Sequence, residues 1–159
     1  MSFRSDVVPS RMTHLLTDKT AIIYGAGGSL GGAAARTFAR EGAAVVLAGR
    51  TREPLERVAA DVTAAGGRAE VAVVDATDER AVDEHADAVA ARADGIDISF
   101  NLVTRGDDQG TPIAAMTTER FLHAITTGVT TAFLTARAAA RHMAPRGAGV
   151  NATCGLVAG

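Results

Sequence analysis

Residues 25 to 31 read Gly-Ala-Gly-Gly-Ser-Leu-Gly, directly after the apolar run Thr20-Ala21-Ile22-Ile23-Tyr24. The residues that follow carry Leu30, Ala34, Phe38 and Ala39 at helical spacing. A glycine-rich turn between a strand and a helix has the composition of a phosphate cradle. Small residues let the backbone approach a pyrophosphate, and the helix N-terminus supplies N–H donors and a positive dipole. Gly25, Gly28, Ser29, Leu30 and Gly31 are therefore candidate cofactor-binding residues. The common fingerprint G-x-G-x-x-G does not fit, because Leu30 falls on its third glycine. The alternative reading is a tight strand–helix turn with no ligand.

About 18 residues further on, a dinucleotide site places an acid for a ribose hydroxyl or a base for a 2′-phosphate. Gly49 takes the acid's position here, and Arg50 and Thr51 follow it. Arg50 and Arg52 carry the planar fork that suits a phosphate. The expected cofactor is NADP ahead of NAD. Other side chains offer little chemistry. Tyr24 is the one tyrosine and Lys19 the one lysine. His14, His85, His123 and His142 show no metal-ligand spacing, so no metal site is expected. Cys154, without a second cysteine to pair with, reads as a buried strand residue. Asp83, Glu84 and Asp87 read as a solvated helix face.

The elements that must position these residues alternate. Predicted strands cover Thr20–Tyr24, Ala44–Ala48, Val71–Val74, Ile96–Val103 and Val150 to about Cys154. Thr51 is a plausible cap for a helix ending at Gly66-Gly67, and Thr77 for the next one. A long helix starts at Thr117 or Thr118 and runs through His142. Strand–helix alternation argues for βαβ units and right-handed crossovers. The expected fold is an α/β, Rossmann-like, doubly wound parallel sheet of about five strands in order 3-2-1-4-5. Unbroken apolar strands suggest that helices cover both faces.

Tyr24-Gly25-Ala26-Gly27-Gly28-Ser29-Leu30-Gly31 resembles the T-G-x-x-x-G-x-G loop of the short-chain dehydrogenase/reductase family. Gly25 and Gly31 match its outer glycines, while Tyr24 replaces its threonine and Ser29 its middle glycine. The resemblance extends over Val73-Val74-Asp75-Ala76 and over Ile98-Ser99-Phe100-Asn101, where one asparagine of N-N-A-G is kept. It implies that Asp75 and Ala76 lie against the adenine and that Asn101 ends the fourth strand beside the cofactor. It implies hydride transfer between a nicotinamide and a carbonyl or alcohol, driven by a tyrosine, a lysine four residues later, a serine and an asparagine. No Y-x-x-x-K occurs in these 159 residues, Gly128 falls on the asparagine, and Gly155 and Leu156 fall on the serines. No catalytic residue is therefore assigned. The sequence reads as the cofactor-binding part, inactive as given, with a degenerate nucleotide-binding or oligomerising protein as the alternative.

The remaining bounds are broad. Net charge is −2 with 21% charged residues, which leaves no basic footprint for nucleic acid. No apolar run approaches the roughly 20 residues of a membrane span. Residues 1–17 read as a loose leader and 18–159 as one dinucleotide-binding domain, incomplete at its C-terminal end. The expected compartment is the cytoplasm. Phe121, Ile125, Val129 and Phe133 exceed what one sheet face needs, so a homo-oligomer through helix 118–142 is expected.

Overall fold

The computed structural model describes residues 14–103, 106 and 110–154. Five strands form one parallel sheet: β1 (Thr20–Tyr24), β2 (Ala44–Gly49), β3 (Arg68–Val73), β4 (Ile98–Asn101) and β5 (Val150–Thr153). Their order is β3-β2-β1-β4-β5, as the crossover rule predicts. Four helices connect them: α1 (Ser29–Arg40), α2 (Arg52–Ala64), α3 (Glu79–Arg92) and α4 (Thr118–Met143).

Alternation along β1 divides the core. Ile22 and Tyr24 point to the face covered by α3 and α4, with Val82, Val89, Leu134 and Ala138. Ala21 and Ile23 point to the face covered by α1 and α2, with Ala35, Leu55, Val58 and Val62. The central strands are buried on both faces, but the edges are not. All four residues of β5 are exposed, and β3 is only partly covered. The third strand starts at Arg68 rather than Val71, because β2 is long enough to pair with Arg68, Ala69 and Glu70 as well. The fourth is shorter than its apolar run: Ile96 is buried in the core ahead of the strand, and Leu102 and Val103 turn into the loop beyond it.

Helix ends follow their local chemistry. Gly42, with φ +98°, ends α1. Thr51 precedes α2 without a side-chain cap bond. Asp78, not Thr77, caps α3 by accepting from the Ala81 N–H at 3.1 Å. Thr77 is unavailable for that role, since its N–H and hydroxyl both donate to Asp75 Oδ1. Residues 14–17, expected in the leader, form a turn against the end of α1, where the Leu16 N–H donates to the Glu41 carbonyl at 2.9 Å.

Asp83 and Asp87 are not merely solvated. Arg137 pairs with Glu79 and Asp83, Arg141 with Asp83 and Asp87, and His142 with Asp87. This ladder ties α3 to α4. The outer side of α4 is left bare, with Phe121, Ile125, Val129 and Phe133 between 45% and 64% exposed.

Candidate functional site

The parallel register sets Ala72, Ala48, Tyr24, Asn101 and Thr153 in one row across the sheet. The residues just past that row form the rim of the site. Gly25 follows β1, Arg50 follows β2, Val74 and Asp75 follow β3, and Leu102 follows β4. Backbone bonds fix the rim to the sheet. The Gly25 and Ala26 N–H groups donate to the Ala48 carbonyl at 2.9 and 3.2 Å, and the Leu102 N–H to the Tyr24 carbonyl at 2.9 Å.

The glycine turn is shaped by close approach. Gly25 has φ +78°, and a Cβ there would lie 2.5 Å from the Leu102 carbonyl oxygen. A Cβ at Gly31 would overlap the Gly25 carbonyl oxygen and come within 2.7 Å of Ala26 Cα. Gly28 precedes α1 and, having no side chain, does not cap the first-turn amides of the helix.

Above the rim lies a cleft of about 420 Å³. Of the residues expected to bind a cofactor, Gly25, Gly28, Arg50, Thr51, Asp75 and Ala76 line it. Ser29 lies instead over a neighbouring groove between α1 and α2. Leu30 is exposed at the start of α1, and Gly31 is buried inside the turn. Asn101 is buried and does not line the cleft. Its Nδ2 donates to Thr131 Oγ1 at 3.1 Å, and its Oδ1 accepts from the Val103 N–H at 3.0 Å. It secures the end of β4 to α4, and Leu102 and Val103 are the β4-side residues that face the cleft.

Two lining residues of α4, His123 and Thr127, escape the sequence reading. Their signal is a polar row at four-residue spacing along α4: His123, Thr127, Thr131 and Thr135. Thr131 and Thr135 are buried against β4, and the row rises from there into the cleft.

Electrostatics differ sharply along the rim. The Thr77 backbone N–H and hydroxyl hold the exposed Asp75 carboxyl below its usual range, and the Arg50 charge adds to this. Tyr24 also borders the cleft but is 1% exposed. Burial pushes its phenol far above the usual range, and Asp83 pushes the same way. Its ring meets His85 edge-on, with centroids 6.0 Å apart. Burial pushes the His85 imidazole down to about 4, helped by the Arg92 charge. Lys19 is remote from Tyr24, at the opposite end of β1, where its Nζ lies 3.4 Å from Asp97. Cys154 is exposed rather than buried, as are all four residues of the edge strand β5 that it follows.

A sequence model described as short chain dehydrogenase matches residues 19–156. Gluconate 5-dehydrogenase of Gluconobacter oxydans is 34% identical over 134 residues, covering 84% of this chain and 52% of that protein. The chain thus spans about half the length of that curated relative. A metagenomic short-chain oxidoreductase solved in complex with NADP superposes with a TM-score of 0.80 at 29% identity, over 90% of this chain and 64% of the other. A xylitol dehydrogenase bound to NAD+ gives 0.77 at 32%, over 87% and 53%.

Proposed function

The chain belongs to the short-chain dehydrogenase family, and from that premise we propose that its cleft binds an NADP-type dinucleotide, with NAD second. The observation that carries this reading is Arg50. It lines the cleft at the end of β2, where such sites read the adenosine ribose, and Gly49 stands where an acid for the ribose hydroxyl would be. The turn from Gly25 through Gly28, Ser29 and Leu30 to Gly31 is assigned to the pyrophosphate through the first-turn amides of α1. Thr51, Asp75 and Ala76 are assigned to the adenosine end, and Asn101 to holding the β4 end beside it.

When bound, the dinucleotide would supply or accept hydride. The chain's own residues bind and orient it. The relatives are named as dehydrogenases of gluconate and of xylitol, which supports carbonyl or alcohol hydride transfer as the chemistry of the whole protein. A cytoplasmic setting and a homo-oligomer through helix 118–142 belong to the same proposal.

The test is fluorescence titration with NADPH and NADH. NADPH is expected to bind about tenfold to a hundredfold more tightly, the worth of a charge-assisted phosphate contact of roughly 1.5–3 kcal/mol. Arg50→Ala should erase the preference. Equal affinity for both cofactors in the unsubstituted chain would remove the Arg50 assignment.

A second reading, binding without turnover by these 159 residues, is favoured by a specific observation. The one tyrosine is buried on the face covered by α3 and α4, with its ring against His85, and the one lysine is tied to Asp97 at the far end of the strand. A phenol acts as a proton donor or base near neutral pH only with a cation beside it. NADPH consumption with a panel of ketones, aldehydes and quinones should stay at background. Turnover abolished by Tyr24→Phe would overturn this second reading.

A further inference from the structure

We propose that His123 is a specificity-determining residue of the cleft, contacting the adenosine half of a bound dinucleotide from the side opposite Asp75 and Arg50. The inference rests on the dinucleotide reading and adds to it a residue contributed by α4.

His123 is exposed and lines the cleft from the side of α4 that packs on β4 further along the helix. It heads the polar row that continues through Thr127 to Thr131 and Thr135. Asn101 donates to the Thr131 hydroxyl, and the Ser99 hydroxyl donates to the Thr135 carbonyl at 3.5 Å, so the row faces β4. The bare stripe of Phe121, Ile125, Val129 and Phe133 lies on another side. His123 and Thr127 are thus carried over the end of β4 and into the cleft lining. The His123 ring edge lies against Gly106, where a Cβ would stand 3.4 Å from Nε2.

The other walls decide which half of the ligand His123 meets. The cleft is bounded by Gly49, Arg50 and Thr51 after β2 and by Val74 to Thr77 after β3. The end of β2 is where a dinucleotide's adenosine ribose is read. No described residue of β5 lines the cleft. His123 therefore faces adenosine rather than the reacting ring. An imidazole ring brings two hydrogen-bonding nitrogens and a flat face, which match the edge and the plane of adenine.

The experiment is calorimetric titration of the 159-residue chain and its His123→Ala variant with adenosine 2′,5′-bisphosphate and, separately, nicotinamide mononucleotide. His123 is exposed on α4, so the variant should unfold at the same temperature. It is expected to bind the bisphosphate about five- to tenfold more weakly, the scale of one lost polar contact, with mononucleotide affinity unchanged. Unchanged bisphosphate affinity, or a loss confined to the mononucleotide, would overturn the assignment while NADPH binding still supported the dinucleotide reading. Failure of the unsubstituted chain to bind NADPH and the bisphosphate would overturn both.

Discussion

At the residue scale the site depends on two glycines and one arginine. Gly31 packs against the Gly25 carbonyl, and Gly25 sits at positive φ against Leu102. Gly25→Ala should cost about 1–2 kcal/mol from the left-handed backbone alone, with further loss from the Leu102 overlap. Urea unfolding should register this, and NADPH binding should fall with it. His85 provides a pH test. Its folded value, about 4, lies below the 6.5 of an ordinary imidazole. The unfolded chain therefore takes up the proton first, and stability falls as pH drops from about 6.5 to about 4, with no contribution above that window. The loss should be on the order of 3 kcal/mol. In His85→Leu, unfolding followed across this window should lack that component. An identical pH profile in the variant would contradict the burial of a neutral His85. Six of the ten candidate binding residues were legible as cleft-lining positions, because strand ends and turn glycines follow local rules. Asn101 was less legible. Its side chain is claimed by Thr131, thirty residues later, a tertiary bond that no local pattern reports.

At the element scale α4 works with two faces. Its polar row locks onto β4 and opens into the cleft, and its outer stripe carries Phe121, Ile125, Val129 and Phe133 into solvent. Periodicity made the helix and its apolar excess readable, but not which polar residues would meet the cleft. That depends on the rotation of α4 over β4, which packing decides. The same limit explains Thr77. Thr77 is a good cap in sequence, but the Asp75 carboxylate takes it and Asp78 caps α3 instead. An exposed stripe of this kind invites a partner. We expect self-association through α4, so Val129→Glu should shift light scattering of the chain toward monomer. A chain that is already monomeric at high micromolar concentration would contradict this.

For the whole molecule, strand–helix alternation and crossover handedness led to the observed strand order, since few other topologies satisfy both. What they could not indicate was the exposure of the edges, because an apolar strand reads the same whether or not a layer covers it. The β5 strand and Cys154 show the difference. The central claim is that the rim past the row Ala72–Ala48–Tyr24–Asn101–Thr153 holds a dinucleotide. Amide NMR of the chain during NADPH addition tests it most directly. Saturable shifts should concentrate at Gly25–Gly31, Arg50–Thr51, Asp75–Thr77 and His123–Thr127. No saturable shift at millimolar NADPH, or shifts confined to the opposite end of the sheet around Lys19 and Arg68, would contradict the account.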